Sequence, residues 1–178
     1  TATGLVLGRN YLIRVAAVNS FGIGVYSEPI SVSTANPTAS YTVGTQPNVM
    51  ALDAAGNLYV ANTGDSTVSK ITTGGVVSVF ATVGSRPSAM AFDAAGNLYV
   101  ASLEESTITK VTPAGVATMF AVVGEAPTAI AFDKSGNLYT ADGAAGTVTK
   151  VTPAGVVSVF ASFDAAPTDL AIDSTGNI

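Results

Sequence analysis

The chain has 178 residues, 48% of them hydrophobic and only 11% charged, with a formal net charge of −5. Material for a core is plentiful, and the seven Lys and Arg residues are scattered rather than gathered into a basic stripe, which argues against nucleic acid as a partner. Cysteine, histidine and tryptophan are absent, so disulfides, thiolate zinc sites, and Ser-His-Asp or Cys-His catalysis within this segment are excluded.

No apolar run approaches the roughly 20 residues that a membrane-spanning helix needs, and no membrane insertion is expected. Apolar residues at helical spacing are rare. Short runs rich in Val, Ile, Tyr, Phe and Thr, punctuated by Gly, Pro, Asn and Asp, predict an all-β chain.

The first 34 residues differ from the rest. Tyr11, Ile13, Val15 and Ala17 alternate with Leu12, Arg14, Ala16 and Val18, which is the period of a strand. The Gly-rich loop Asn19-Ser20-Phe21-Gly22-Ile23-Gly24 follows, then a second strand through Ile30, Ser31, Val32 and Ser33. Two strands and a loop are marginal in water by themselves. Residues 35–40, with Asn36-Pro37, read as a linker.

Residues 41–46, beginning Tyr41-Thr42-Val43, lie where the outer strand of a preceding repeat would fall. From Pro47 onward the sequence repeats every 40 residues. Pro47, Pro87, Pro127 and Pro167 keep that spacing, as do Asp53, Asp93, Asp133 and Asp173 and the Gly-Asn pairs at 56, 96, 136 and 176. The three complete copies, 47–86, 87–126 and 127–166, share fifteen identical positions without insertion or deletion. Each holds four candidate strands; in the first copy these are Val49–Asp53, Leu58–Ala61, Thr67–Thr72 and Val76–Ala81. Asp53-Ala54-Ala55-Gly56-Asn57 suits a tight turn, because the Asp side chain accepts backbone N–H groups ahead of it and Gly and Asn tolerate positive φ. Thr112-Pro113-Ala114-Gly115 suits another. The first two strands are apolar on both faces and the third is wetter, as expected of a blade stacked between neighbours with its later strands nearer the rim. The predicted fold is therefore an incomplete β-propeller of four-stranded 40-residue blades, with a partial blade at 167–178. About three and a quarter blades fall short of the four to eight of a closed ring. Such an array is expected to be a fragment of a longer protein or to assemble with other copies.

Two family resemblances follow from these residues. Thr3-Gly4-Leu5, Gly8, the Tyr11-to-Asn19 alternation, Gly22 and Tyr26-Ser27-Glu28-Pro29 resemble the last third of a fibronectin type III domain, a β-sandwich in which Tyr11 would be the corner tyrosine. Pro127, Ile130-Ala131, Asp133, Gly136-Asn137-Leu138-Tyr139, Ala141-Asp142, Pro153 and Gly155 resemble NHL-type propeller repeats. The streptogramin lyase family is built on similar repeats and relies on histidine, which this segment lacks.

Comparing repeats separates invariant turn and core positions from two variable loops. The loops between the second and third strands are 62–66, 102–106 and 142–146; those before each Pro are 84–86, 124–126 and 164–166. Both sets are expected on one face. Loops carry function more often than scaffold does, so Asn62, Asp65, Arg86, Leu103, Glu104, Glu105, Glu125 and Asp142 are the candidate partner-binding residues. Asp65, Glu104 and Glu105 form the one acidic cluster across adjacent blades. The recurring Asp residues are explained by turns, the recurring Lys70, Lys110 and Lys150 by aliphatic stems covering neighbouring strands, and Tyr59, Tyr99 and Tyr139 by packing between blades. No cofactor, resident metal or catalytic residue is expected. The expected function is a non-enzymatic, secreted or cell-surface binding or structural protein, engaging a protein partner or self-associating as a homo-oligomer or filament through open blade edges. The alternative is a fragment of a propeller enzyme, of lyase or lactonase type, whose catalytic blades lie outside the segment.

Overall fold

The computed structural model describes residues 40–173 and 175–178, together with the strand segments 10–13, 18–19, 22–23 and 30–33. The chain divides into two compact units, Thr1–Tyr41 and Thr42–Ile178.

In the first unit β1 (Asn10–Ile13) pairs antiparallel with β4 (Ile30–Ser33), placing Tyr11 opposite Val32. Between them β2 (Val18–Asn19) and β3 (Gly22–Ile23) make a small hairpin inside the expected loop. Residues 3–8, 15–17 and 26–29 of the type III pattern, the Tyr11 side chain, and the linker up to residue 39 lie outside the described residues.

The second unit contains twelve strands in three four-stranded antiparallel sheets, each in sequence order. The first sheet is β5 (Pro47–Leu52), β6 (Leu58–Asn62), β7 (Thr67–Ile71) and β8 (Val77–Thr82). The second is β9 (Pro87–Phe92), β10 (Leu98–Ser102), β11 (Thr107–Val111) and β12 (Ala117–Val122). The third is β13 (Pro127–Phe132), β14 (Leu138–Asp142), β15 (Thr147–Val151) and β16 (Val157–Ser162). The first strands β5, β9 and β13 lie against one another, so they form the inner side of the array, and the fourth strands form the rim. The sheets do not close into a ring.

The sequence explains each element. β10 and β14 are buried along their whole length, which is why both faces are apolar. The turn between the first two strands is built by its aspartate: Asp93 Oδ1 accepts from the N–H groups of Ala95 (2.9 Å) and Asn97 (2.8 Å), and Oδ2 accepts from Asn97 Nδ2 (2.7 Å). Gly96 completes this turn at φ 80°, the left-handed region that a side chain disfavours. Every fourth strand carries a register shift against the third that leaves Phe80, Phe120 and Phe160 without a pairing partner, and the neighbouring Val79, Met119 and Val159 are exposed at the rim.

Blade contacts are apolar and repeat. Tyr59, Val68 and Ala81 of the first blade pack against Leu98, Val100 and Val111 of the second. Tyr99, Ile108 and Ala121 pack against Leu138 and Val151 of the third. Near the inner strands, the Ser88 hydroxyl donates to the carbonyls of Ala101 (3.3 Å) and of Pro127 in the next blade (2.5 Å). Thr128 does the same to Ala141 (3.1 Å) and Pro167 (3.2 Å).

Two expectations fail at the ends of the array. Residues 41–46 form no strand, and Pro167 to Ile172 form none either. A strand needs a ladder partner for its N–H and C=O groups, and among the described residues neither segment has one. The Asp173 turn nevertheless forms, with Asp173 N–H donating to Asn177 O (2.9 Å) and Asn177 N–H to Asp173 Oδ1 (2.9 Å), because its bonds are local.

Candidate functional site

The strand directions place all 62–66-type loops and all loops before Pro at one end of the blades. Segments 44–46, 84–86 and 124–126 are also each bonded to the loop of the blade that follows. Thr63 N–H donates to Gln46 O (2.9 Å), Leu103 N–H to Arg86 O (3.0 Å) and Gly143 N–H to Ala126 O (2.9 Å). The two variable loop sets thus form one surface, repeated three times.

Carboxylates fasten them. In the first repeat Asp65 accepts from Thr45 N–H (2.7 Å) and from the Thr67 hydroxyl (2.6 Å). In the second, Glu105 accepts from Ser85 N–H (3.1 Å) and Glu104 from the Ser85 hydroxyl (2.7 Å), while Arg86 Nη1 lies 3.5 Å from Glu104 Oε1. Both partners of that ion pair are about half exposed, so it contributes at most about 1 kcal/mol. Hydrogen bonds from Thr67 and Thr45 hold the Asp65 carboxyl below its ordinary range. The residue before the proline pays a conformational cost: Gln46, Arg86 and Ala126 have φ of 52°, 52° and 53°.

Asp65, Arg86, Glu104, Glu105 and Glu125 are exposed and Leu103 is half-buried. Asn62 and Asp142 are not contact residues, a correction to the sequence reading: both are fully buried. They belong, with Ser102, to a polar position at the end of each second strand that the loops cover. Asp142 accepts from the hydroxyls of Thr140 (2.7 Å), Thr147 (3.1 Å) and Thr149 (2.5 Å). Asn62 works in reverse, its Nδ2 donating to Thr67 Oγ1 and Ser69 Oγ, both at 3.0 Å. Gly124 lies so close that an added Cβ would sit 2.5 Å from Asp142 Oδ2. The sequence reading missed Ser102, Ser69, Thr109 and Thr149, all buried polar residues. The signal was available: these positions stay polar in every repeat, Asn62, Ser102 and Asp142 at the end of the second strand and Ser69, Thr109 and Thr149 in the middle of the third.

The acidic cluster does not gather. Among the described residues no group of three or more His, Cys, Asp or Glu side chains is placed to hold a metal ion. The lysines sit near the opposite end of the blades, with Nζ 5.2, 5.4 and 5.5 Å from the ring centroids of Tyr59, Tyr99 and Tyr139.

Fold and blade repeat together define an unclosed β-propeller array. No family model and no curated protein matches the chain. Solved structures do. A streptogramin B lyase superposes with a TM-score of 0.59 at 12% identity, over 83% of this chain and 47% of that one. The catalytically inactive H270A virginiamycin B lyase from Staphylococcus aureus with quinupristin gives 0.59 at 12%, over 85% and 60%. Hydrazine synthase from Kuenenia stuttgartiensis gives 0.66 at 18%, over 79% and 42%. The chain therefore spans about half the length of these relatives, and identities this low establish the fold alone.

Proposed function

We propose that the chain is a non-enzymatic binding and structural module, secreted or displayed at the cell surface, that presents its loop face to a protein partner. In this reading residues 41–178 are NHL-type blades and residues 1–34 the end of a fibronectin type III domain, joined by the linker 35–40. One observation carries the reading: the two loop sets that vary between repeats are hydrogen-bonded into a single exposed surface, while the positions that do not vary lie in turns and core. A variable, charged surface on a constant frame is what recognition needs.

A photo-crosslinking residue placed at Glu104 and, separately, at Ser135 on the opposite end tests this on cells that secrete the protein. A protein adduct is expected from position 104 and absent from position 135, and it should disappear in the Asp65→Ser, Glu105→Ser, Glu125→Ser variant. Equal adducts from both ends would sink the reading.

The second reading, a piece of a propeller enzyme with catalytic blades outside the segment, draws on the fold shared with the lyases. Because that reading puts the catalysis outside the segment, the coding sequence on either side tests it: further blades whose inner strands carry a cluster of His or Glu would favour the enzyme, and flanking blades without one would sink it.

A further inference from the structure

The interfaces between complete blades carry a second surface, at the end of the blades opposite the loop face. Between the second and third blades lies a cleft of about 320 Å³. The second blade supplies its polar side, Asp93, Tyr99 and Lys110, and the third blade supplies Phe132, Gly136 and Pro153. A cleft of about 260 Å³ repeats it between the first and second blades, where Asp53, Tyr59 and Lys70 face Phe92, Gly96 and Pro113. Each of these positions in one cleft lies 40 residues from its counterpart in the other.

The two charges of the cleft are held differently. Lys110 Nζ lies 5.4 Å from the Tyr99 ring centroid, and Lys70 Nζ 5.2 Å from that of Tyr59. The rings fix each amine at the cleft wall, and an ammonium brings three donors there. The carboxylate has far less to offer. Asp93 Oδ1 accepts from the Ala95 and Asn97 N–H groups and Oδ2 from Asn97 Nδ2. A carboxylate has about four lone-pair directions, so one is left on Asp93. In the first blade the Tyr59 hydroxyl takes that direction, 3.3 Å from Asp53 Oδ2. Among the described residues Tyr99 makes no such bond, and the direction on Asp93 stays open.

This inventory selects a ligand. An anion attracted by Lys110 is repelled by Asp93, and a cation meets the reverse. A zwitterion balances both charges, but its ammonium asks for up to three acceptors where one remains. A sugar ring matches, because each hydroxyl both donates and accepts. One hydroxyl donates to Asp93 Oδ2, its neighbour accepts from Lys110 Nζ, and the C–H face of the ring lies on Phe132 and Pro153. The volume is at the small end for ligand pockets, which suits one ring. We propose that the cleft between the second and third blades binds a neutral hexose residue of a glycan through Asp93, Lys110 and the Phe132–Pro153 floor. The cleft between the first and second blades is its weaker copy. This site is separate from the loop face and does not rest on a protein partner there.

The probes are maltohexaose, cellohexaose and mannohexaose, each titrated into the isotope-labelled full chain and followed by amide shifts in nuclear magnetic resonance. Saturable shifts with at least one of them are expected at Ala94, Ala95 and Gly136, larger than those at Ala54 and Ala55. Lys110→Met keeps the stem and removes the amine, and should weaken binding about tenfold. Ala95→Phe, at an exposed turn position, fills the cleft and should abolish binding. Met119→Ser on the rim should bind as the parent does. No saturable shift with any of the three sugars would overturn the proposal. So would shifts centred on residues 103–106, undiminished binding by Lys110→Met and Ala95→Phe, or tighter binding of hexagalacturonate or of free phenylalanine, the acidic and zwitterionic comparators.

Discussion

Tyr99 of the second blade meets Phe132 of the third edge to face, with ring centroids 4.9 Å apart and planes inclined by 71°. On its other side Tyr99 meets Phe120 of its own rim strand at 5.1 Å. The same triplet, Tyr59 with Phe80 and Phe92, joins the first blade to the second. Each tyrosine is thus held between a phenylalanine of its own blade and one from the next. The third blade has the first contact, Tyr139 with Phe160 at 5.2 Å, and Ile172 stands at the repeat position of the second phenylalanine.

This arrangement makes two identical substitutions unequal. Phe132→Ala should cost about 3–5 kcal/mol, since it removes a ring packed between blades and leaves a cavity. Phe160→Ala, at a ring already half in water, should cost on the order of 1 kcal/mol. Urea denaturation of the two variants checks the difference; equal losses would show that the interface between the second and third blades is not where the stability resides.

The hydroxyl at the second position of the second and third repeats, Ser88 and Thr128, is a smaller link of the same kind. Ser88→Ala removes a donor shared between Ala101 O and Pro127 O, and the Pro127 residue is fully buried. A loss of about 1 kcal/mol is expected. Amide exchange should show faster opening in the third blade than in the first, because the bond lies between the second and third blades.

Much of this was legible from the repeat alone. The Pro, Asp and Gly-Asn spacings gave the blades, since turn chemistry acts within a few residues and reads directly from sequence. The ends were not legible in the same way. Pro167 to Ile172 has the strand pattern of Pro127–Phe132, but a pattern specifies which faces are apolar and not whether a ladder partner is present. Asn62 and Asp142 were misread for a related reason. They lie at the margin of a variable loop, where polar residues are ordinarily wet, and only the covering loop before the proline makes them buried.

The turn aspartates set a pH dependence. Burial raises the Asp93 carboxyl, but hydrogen bonds from the Asn97 side chain and from the Asn97 and Ala95 N–H groups, with Lys110 nearby, outweigh it and hold the group below 3.8. Asp53 and Asp133 are lowered in the same way, with Tyr59 and Tyr139 hydroxyls in place of the lysine. A carboxyl lowered in the folded state contributes stability that is fully present above its unfolded value and is lost as pH falls through the folded one. The array should therefore hold its stability down to about pH 4 and lose it progressively below. Asp93→Asn should lower stability at neutral pH and flatten this acid limb by one turn's share. Denaturation midpoints measured between neutral pH and strong acid check both effects, and an unchanged acid limb would contradict the assignment.

Asp142 offers the sharpest test of the frame beneath the loop face. Three threonine hydroxyls converge on it, from Thr140, Thr147 and Thr149, and the residue has no exposed surface. The first repeat shows that an amide can fill the same place, with Asn62 donating to Thr67 and Ser69. The hydroxyls need only rotate, because each can donate or accept. Asp142→Asn should therefore cost about 1 kcal/mol. Asp142→Ala leaves three hydroxyls without their shared acceptor and opens space under the loop, and should cost about 3 kcal/mol or more. Thr140→Val restores what the first two repeats carry, Val60 and Val100, and it removes one of the stranded hydroxyls. Added to Asp142→Ala it should recover about 1 kcal/mol, a coupling that a double-mutant cycle in urea reads directly. Additive losses would mean that the Thr140 hydroxyl finds another acceptor and that the network does not act as a unit.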